Sequence, residues 1–141
     1  MQLSDGVLVF LAQYLVFFSL LVIPYLWVRR ERHDIVRIMV SVVVAYTISE
    51  IIKTLVSAPR PFVVGEFEPL IAMQPREFYG SFPSGHTAFL TALAASVFFT
   101  EKIPGAVIFL MAAVVGAGRV LVGVHYPLDI LVGGAIGITT A

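Results

Sequence analysis

Cysteine is absent from the 141 residues, so the chain carries neither a disulfide framework nor a thiolate metal site. Charge is scarce: 13% of residues are charged, against about 25% in soluble domains. The nine basic and nine acidic side chains cancel. No basic run is long enough to neutralise a nucleic-acid backbone, which excludes that class of partner. Internal repeats and low-complexity tracts are missing as well, so the chain reads as one domain. What remains is apolar. With 59% hydrophobic residues, against roughly 45–50% in soluble proteins, the composition belongs to a lipid bilayer.

The runs of apolar residues predict an all-α integral membrane protein of about five spans. Val7 to Val28 is uncharged and long enough to cross a hydrocarbon core of about 30 Å. Nothing basic precedes it and no small-residue cleavage pattern follows, so it does not read as a secretory leader. Arg29, Arg30 and Arg32 come directly after it and mark that end as cytoplasmic. A second span covers about Ile35 to Ser57, stopped by Pro59. A connection punctuated by proline and glycine then runs from Ala58 to Pro83, and its apolar residues suggest a segment resting on lipid. Further spans are expected at about Ser84–Thr100, Pro104–Ala117 and Pro127–Ala141. Gly133 and Gly137 have the small-xxx-small spacing of a close helix contact.

By parity the Glu101-Lys102 turn shares the cytoplasmic side. The Ala58–Pro83 connection and the Gly118–Pro127 link then share the outer face, with Lys53, Arg60, Arg76 and Arg119. Cations outside run against the usual inward bias. A bound anion would account for them.

Three clusters occupy that face: Lys53 with Arg60-Pro61, Pro83-Ser84-Gly85-His86, and Arg119 with His125 and Asp129. Ser84 stands where a helix N-cap is expected, so the N–H groups after it would face an anion at the positive end of the helix dipole. Gly85 lets a phosphate approach the backbone. Lys53, Arg60 and Arg119 add cations, the arginines with paired donors. His125 and Asp129 are four residues apart. If helical geometry reaches back to His125, the carboxylate fixes its tautomer and frees the other nitrogen as a nucleophile. His86 then serves as general acid.

Each residue also has a plainer role open to it. Lys53, Arg60 and Arg119 suit interfacial snorkelling, Ser84 a simple cap, His86 a solvated helix start, and Asp129 a complement to the helix dipole. Glu50 is expected to pair with Lys53 or face outer water, and Arg76 and Glu77 to be solvated in their loop. His33 belongs to the cytoplasmic loop. Phe62–Phe67 and Phe78, Tyr79 and Phe82 read as interfacial anchors.

Taken in order, Lys53-x6-Arg60-Pro61, Pro83-Ser84-Gly85-His86 and Gly118-Arg119-x5-His125-x3-Asp129 resemble the three signature motifs of the type 2 phosphatidic acid phosphatase superfamily. The resemblance covers Lys53 to Asp129. It departs at Gly118, where the family usually has serine. It implies a helical membrane core and a metal-independent, cofactor-free phosphohistidine reaction. In that reaction His125 is the nucleophile, Asp129 its orienting carboxylate and His86 the acid. Lys53, Arg60, Ser84, Gly85 and Arg119 form the phosphate-binding set.

Within the family, the small size, Arg60-Pro61-Phe62 and the run Gly123 to Asp129 are similar to bacterial undecaprenyl diphosphatases. Phosphatidylglycerophosphate or phosphatidate phosphatases and lipid phosphotransferases share the scaffold. The expected partners are a lipid phosphate and the cell membrane, with the active site outside; the sequence carries no signal of oligomeric state. Two other classes compete. A transporter would spread its charges through the bilayer depth, whereas here they collect at one end. A non-catalytic lipid-binding protein would bind equally well without Lys53, Arg60 and Arg119.

Overall fold

A computed structural model describes residues 3–29 and 32–141, with the side chains of Leu3 and Arg32 excluded. Arg30, part of the expected cytoplasmic cluster, lies outside the described residues. Every regular element among them is helical. The first apolar run, Ser4–Val28, is broken into pieces: α1 (Leu3–Val9), a π-helical turn (Phe10–Tyr14), α2 (Leu15–Ser19) and α3 (Val22–Val28). Pro24 accounts for the break before α3. Without an N–H it cannot bond the Leu20 carbonyl, which instead accepts from Ile23 at 3.0 Å. Next come α4 (Arg32–Val56), the single turn α5 (Pro61–Val64) and a 3₁₀ turn (Pro75–Glu77). The bundle is completed by α6 (Gly85–Thr100), α7 (Lys102–Leu121) and α8 (Pro127–Thr139).

Three helical stretches are long and apolar enough to cross a membrane: Ser4–Val28, His33–Val56 and Lys102–Leu121. Gly85–Thr100 and Pro127–Thr139 are shorter apolar helices. Of these, α6 is central. It packs against α4, α7 and α8, and Ala88, Leu90, Ala92, Leu93, Ala94 and Val97 are all buried. Small side chains let its neighbours come close. On α8, a Cβ at Gly133 would stand 2.5 Å from the Ser84 carbonyl oxygen, and one at Gly137 would overlap Thr91 Oγ1 and the Ala88 carbonyl. The expected glycine contact is therefore the α6–α8 seam. Outward, Phe17, Leu21, Val43, Leu55, Val107 and Leu131 are exposed, an apolar surface suited to lipid.

Both limits of the fourth expected span differ from the sequence reading. Helix α7 begins at Lys102, not Pro104; the proline sits in the first turn, where its missing N–H costs no bond. It also continues past Ala117 to Leu121. Gly118 is no stop, because its bare Cα faces Ala12. The stop is Gly123, whose φ of 82° ends the helix in a left-handed turn. Arg119 thus lies in the last turn of α7 and not in the following link.

The ends of the bundle have opposite characters. At one, Arg29 pairs with Glu101 at 3.3 Å and Arg37 with Asp34 at 3.4 Å. The other end gathers the C-termini of α4 and α7 and the N-termini of α6 and α8. Over it folds the 58–83 connection. That segment is only partly the lipid-resting stretch expected: Val64, Phe67, Leu70 and Tyr79 are exposed, but Phe62 and Ile71 are buried. Pro59 bridges to Tyr79, and Phe62 meets Phe78 edge-on at 5.2 Å.

Candidate active site

Beneath this cap lies a cavity of about 570 Å³. Lys53, Arg60, Gly85, His86, Arg119 and His125 all line it, so the three sequence clusters meet at one place. Ser84 and Asp129 stand behind its wall and are buried.

His125 is buried between two partners. Its Nδ1 lies 3.3 Å from Asp129 Oδ2, and its Nε2 lies 3.4 Å from Arg60 Nη1. A carboxylate only accepts hydrogen bonds and a guanidinium only donates them. The pair of neighbours therefore selects one neutral tautomer, with the proton on Nδ1 and a lone pair on Nε2. Burial pushes the His125 pKa down to about 4. The hydrogen bond to Asp129 opposes that shift, and the Arg119 and Arg60 charges reinforce it. At neutral pH the imidazole is uncharged, the form that a nucleophilic role requires.

The His125–Asp129 contact arises differently from the i,i+4 helical pairing expected. Helix α8 starts at Pro127, two residues after His125. Asp129, in its first turn, folds back to accept the Tyr126 N–H at 2.8 Å, and the same oxygen faces the imidazole. One carboxylate both caps the helix and orients the histidine. Ser81 also donates to Asp129 Oδ2. The sequence reading missed Ser81, which contacts a residue 48 positions away.

Arg60 ties the cap to the site. Its Nε donates to the Glu77 carbonyl at 2.6 Å and its Nη1 to the Val124 carbonyl at 2.8 Å. Burial pulls its pKa down, and the Glu77, Asp129 and Glu50 charges oppose this. Arg119 is equally buried, yet its Nε has no hydrogen-bond partner among the described residues. Such an orphaned donor beside a cavity is what an anion would satisfy. Lys53 pairs with Glu50, as expected, and both line the cavity. Gly85 makes room for this pair, since a Cβ there would stand 3.0 Å from Lys53 Nζ. Ser84 holds the N-cap position but makes no capping bond. Its hydroxyl instead accepts from Thr87 Oγ1 at 3.1 Å. Arg76 and Glu77, read from sequence as solvated loop residues, also line the cavity.

His86 stands at a junction. It lines the polar cavity and also an apolar one of about 310 Å³, whose other walls are Val16, Phe17, Leu20, Tyr46, Gly85 and Phe89. Among the described residues no group of histidine, cysteine and carboxylate side chains is placed to hold a metal ion.

A helical membrane bundle with this constellation defines a class, the membrane lipid phosphatases, hydrolases that need no metal. The chain belongs to the PAP2 superfamily, which residues 34–141 match. It is 30% identical, over 99% of its length and 70% of the relative's, to the bacitracin transport permease protein BcrC of Bacillus licheniformis. With the undecaprenyl-diphosphatase BcrC of Bacillus subtilis it shares 27% identity over 90% of its length and 66% of the relative's. The chain thus spans about two thirds of the length of these curated relatives. Among solved structures it is similar to LpxE of Aquifex aeolicus. There the TM-score is 0.80 and the identity 29%, covering 99% of this chain and 84% of that one.

Proposed function

We propose that this phosphatase removes the terminal phosphate of a polyprenyl diphosphate, undecaprenyl diphosphate in the first place, at the outer face of the cell membrane. The observation that carries the reading is the single cavity in which a neutral, oriented His125 faces Lys53, Arg60 and Arg119. The substrate is suggested by the name of the Bacillus subtilis relative. The outward orientation is supported by the basic cluster around Arg29 and Arg37 at the opposite end.

His125 Nε2 bonds to the terminal phosphorus while the bond from phosphorus to the bridging oxygen breaks. Arg60, Arg119 and Lys53 stabilise the charge on the transferring group. The departing lipid monophosphate takes a proton from His86. Water then attacks the phosphohistidine and gives its proton to His86. The phosphorus–nitrogen bond breaks, releasing inorganic phosphate and restoring both histidines. The position of His86 favours this direction of departure: the acid must serve the lipid side, and His86 lies where the phosphate cavity meets the apolar groove. Asp129 holds the imidazole throughout.

The test is phosphate release from undecaprenyl diphosphate, phosphatidylglycerophosphate and phosphatidate by purified protein in excess chelator. The diphosphate is expected to react fastest, and His125→Ala to lower its turnover by at least about 10³-fold, as removal of a catalytic nucleophile does. Retention of wild-type turnover by the variant overturns the mechanism, and preference for a monophosphate overturns the substrate.

A further inference from the structure

Three cations in the cavity fall in the motifs already described; a fourth does not. Arg76 projects from the 3₁₀ turn Pro75–Glu77 and lines the same cavity. The turn is held firmly. Glu77 caps it by accepting the Gln74 N–H at 2.9 Å, and Arg60 grips it from below through the Glu77 carbonyl at 2.6 Å. Arg60 N–H also donates to the Phe78 carbonyl at 3.0 Å. The phosphate-binding Arg60 therefore fixes the backbone that carries Arg76.

Gln13, presented by the π-helical turn Phe10–Tyr14, lines the same cavity. Phe17, four residues further on, lines both this cavity and the apolar groove, which puts the stretch carrying Gln13 at the junction of the two. The cavity's two acidic side chains already have partners, Glu77 with Gln74 and Glu50 with Lys53. Arg76 and Gln13 have no side-chain hydrogen bond or ion pair among the described residues. A single phosphate contacting the three motif cations leaves much of the 570 Å³ free.

The geometry points to a second anion subsite, formed by Arg76 and Gln13, that holds the phosphate remaining on the lipid after cleavage. It rests on the diphosphatase reading and deepens it, because this subsite distinguishes a diphosphate from a monophosphate. Between the reacting phosphorus and a lipid chain in the groove, the retained phosphate has Gln13 on one side and the Arg76 guanidinium on the cap. The guanidinium offers paired donors and the amide two more.

Farnesyl diphosphate and farnesyl monophosphate, hydrolysed by wild type, Arg76→Gln and Arg76→Lys, provide the test. The ratio of kcat/KM for diphosphate over monophosphate is expected to fall about tenfold in Arg76→Gln, chiefly through KM, and to recover partly in Arg76→Lys. A ratio within twofold of wild type overturns the subsite, including the case in which both substrates decline together because the cap has loosened. A second measurement needs no turnover. Calorimetric titration of nanodisc-embedded protein is expected to show Arg76→Gln weakening inorganic pyrophosphate about tenfold more than orthophosphate. Equal weakening overturns the subsite. Failure of the diphosphatase reading shows separately, as wild-type protein that releases no phosphate.

Discussion

His125 owes its chemistry to two neighbours and to its burial, each acting differently. Asp129 accepts a hydrogen bond from Nδ1–H, Arg60 faces the Nε2 lone pair, and burial keeps the ring uncharged. Its pKa falls from 6.5 to about 4, so between those values the unfolded chain holds a proton that the folded one does not. His125 therefore contributes stability that is complete above pH 6.5 and lost as pH falls through about 4. The same shift sets reactivity. Labelling of His125 by diethyl pyrocarbonate, followed by peptide mass spectrometry, is expected to change less than twofold between pH 7.5 and 5.5. Over that interval a free imidazole slows about tenfold, as its neutral fraction falls. A tenfold loss at His125 itself contradicts the assignment. All eight residues singled out from sequence lie in or directly behind one cavity, because helix ends and proline stops are written locally. Ser81 was not legible, and Arg76 was legible only as one of four outer-face cations, not as a residue of the cavity wall. Ser81 reaches Asp129 only through tertiary folding, and Arg76 looks like any loop arginine until Arg60 is seen holding its turn.

Helices α6 and α8 are sensitive to substitution along their seam. Their close approach depends on missing side chains and sets the position of the Ser84-Gly85-His86 turn. Gly133→Ala drives a methyl into the Ser84 carbonyl, backbone that cannot swing aside. The expected effect is a loss of about 1–3 kcal/mol, typical of overpacking, seen as a lower Tm in detergent. Gly134→Ala is the matched control: its Cβ meets only methyl groups at 3.8 and 3.9 Å, and near-neutral stability is expected. Equal effects from the two would contradict the packing. The glycine spacing was readable in sequence, and so was each helix, since apolar runs announce themselves. The limits of α7 were harder to read. Gly118 looks like a helix end until Ala12 is found against it, and Pro104 looks like a start although the helix begins two residues earlier.

At the scale of the whole molecule, the helices meeting at the site differ in length. At 1.5 Å per residue, the 16 residues of α6 make about 24 Å, against about 30 Å for a hydrocarbon core. The 25 residues of α4 are enough to cross it. Gly85, at the start of α6, lies beside Ser49, Glu50 and Lys53, so this N-terminus stops short of the α4 end at Val56 and lies under the 58–83 cap. Reconstitution into phosphatidylcholines with acyl chains from 14 to 22 carbons is expected to give the highest turnover in the thinner bilayers. Turnover should fall several-fold in the thickest, where mismatch strains the short helix. A flat profile would show that α6 length does not matter.

The brevity of α6 has a further consequence for traffic at the surface. Were the bilayer surface to follow the end of α4, a headgroup would sink to meet its catalyst without leaving the leaflet, keeping its anchorage while water makes the descent. The protein would then work as a well, its depth decided as much by the surrounding fat as by the chain itself.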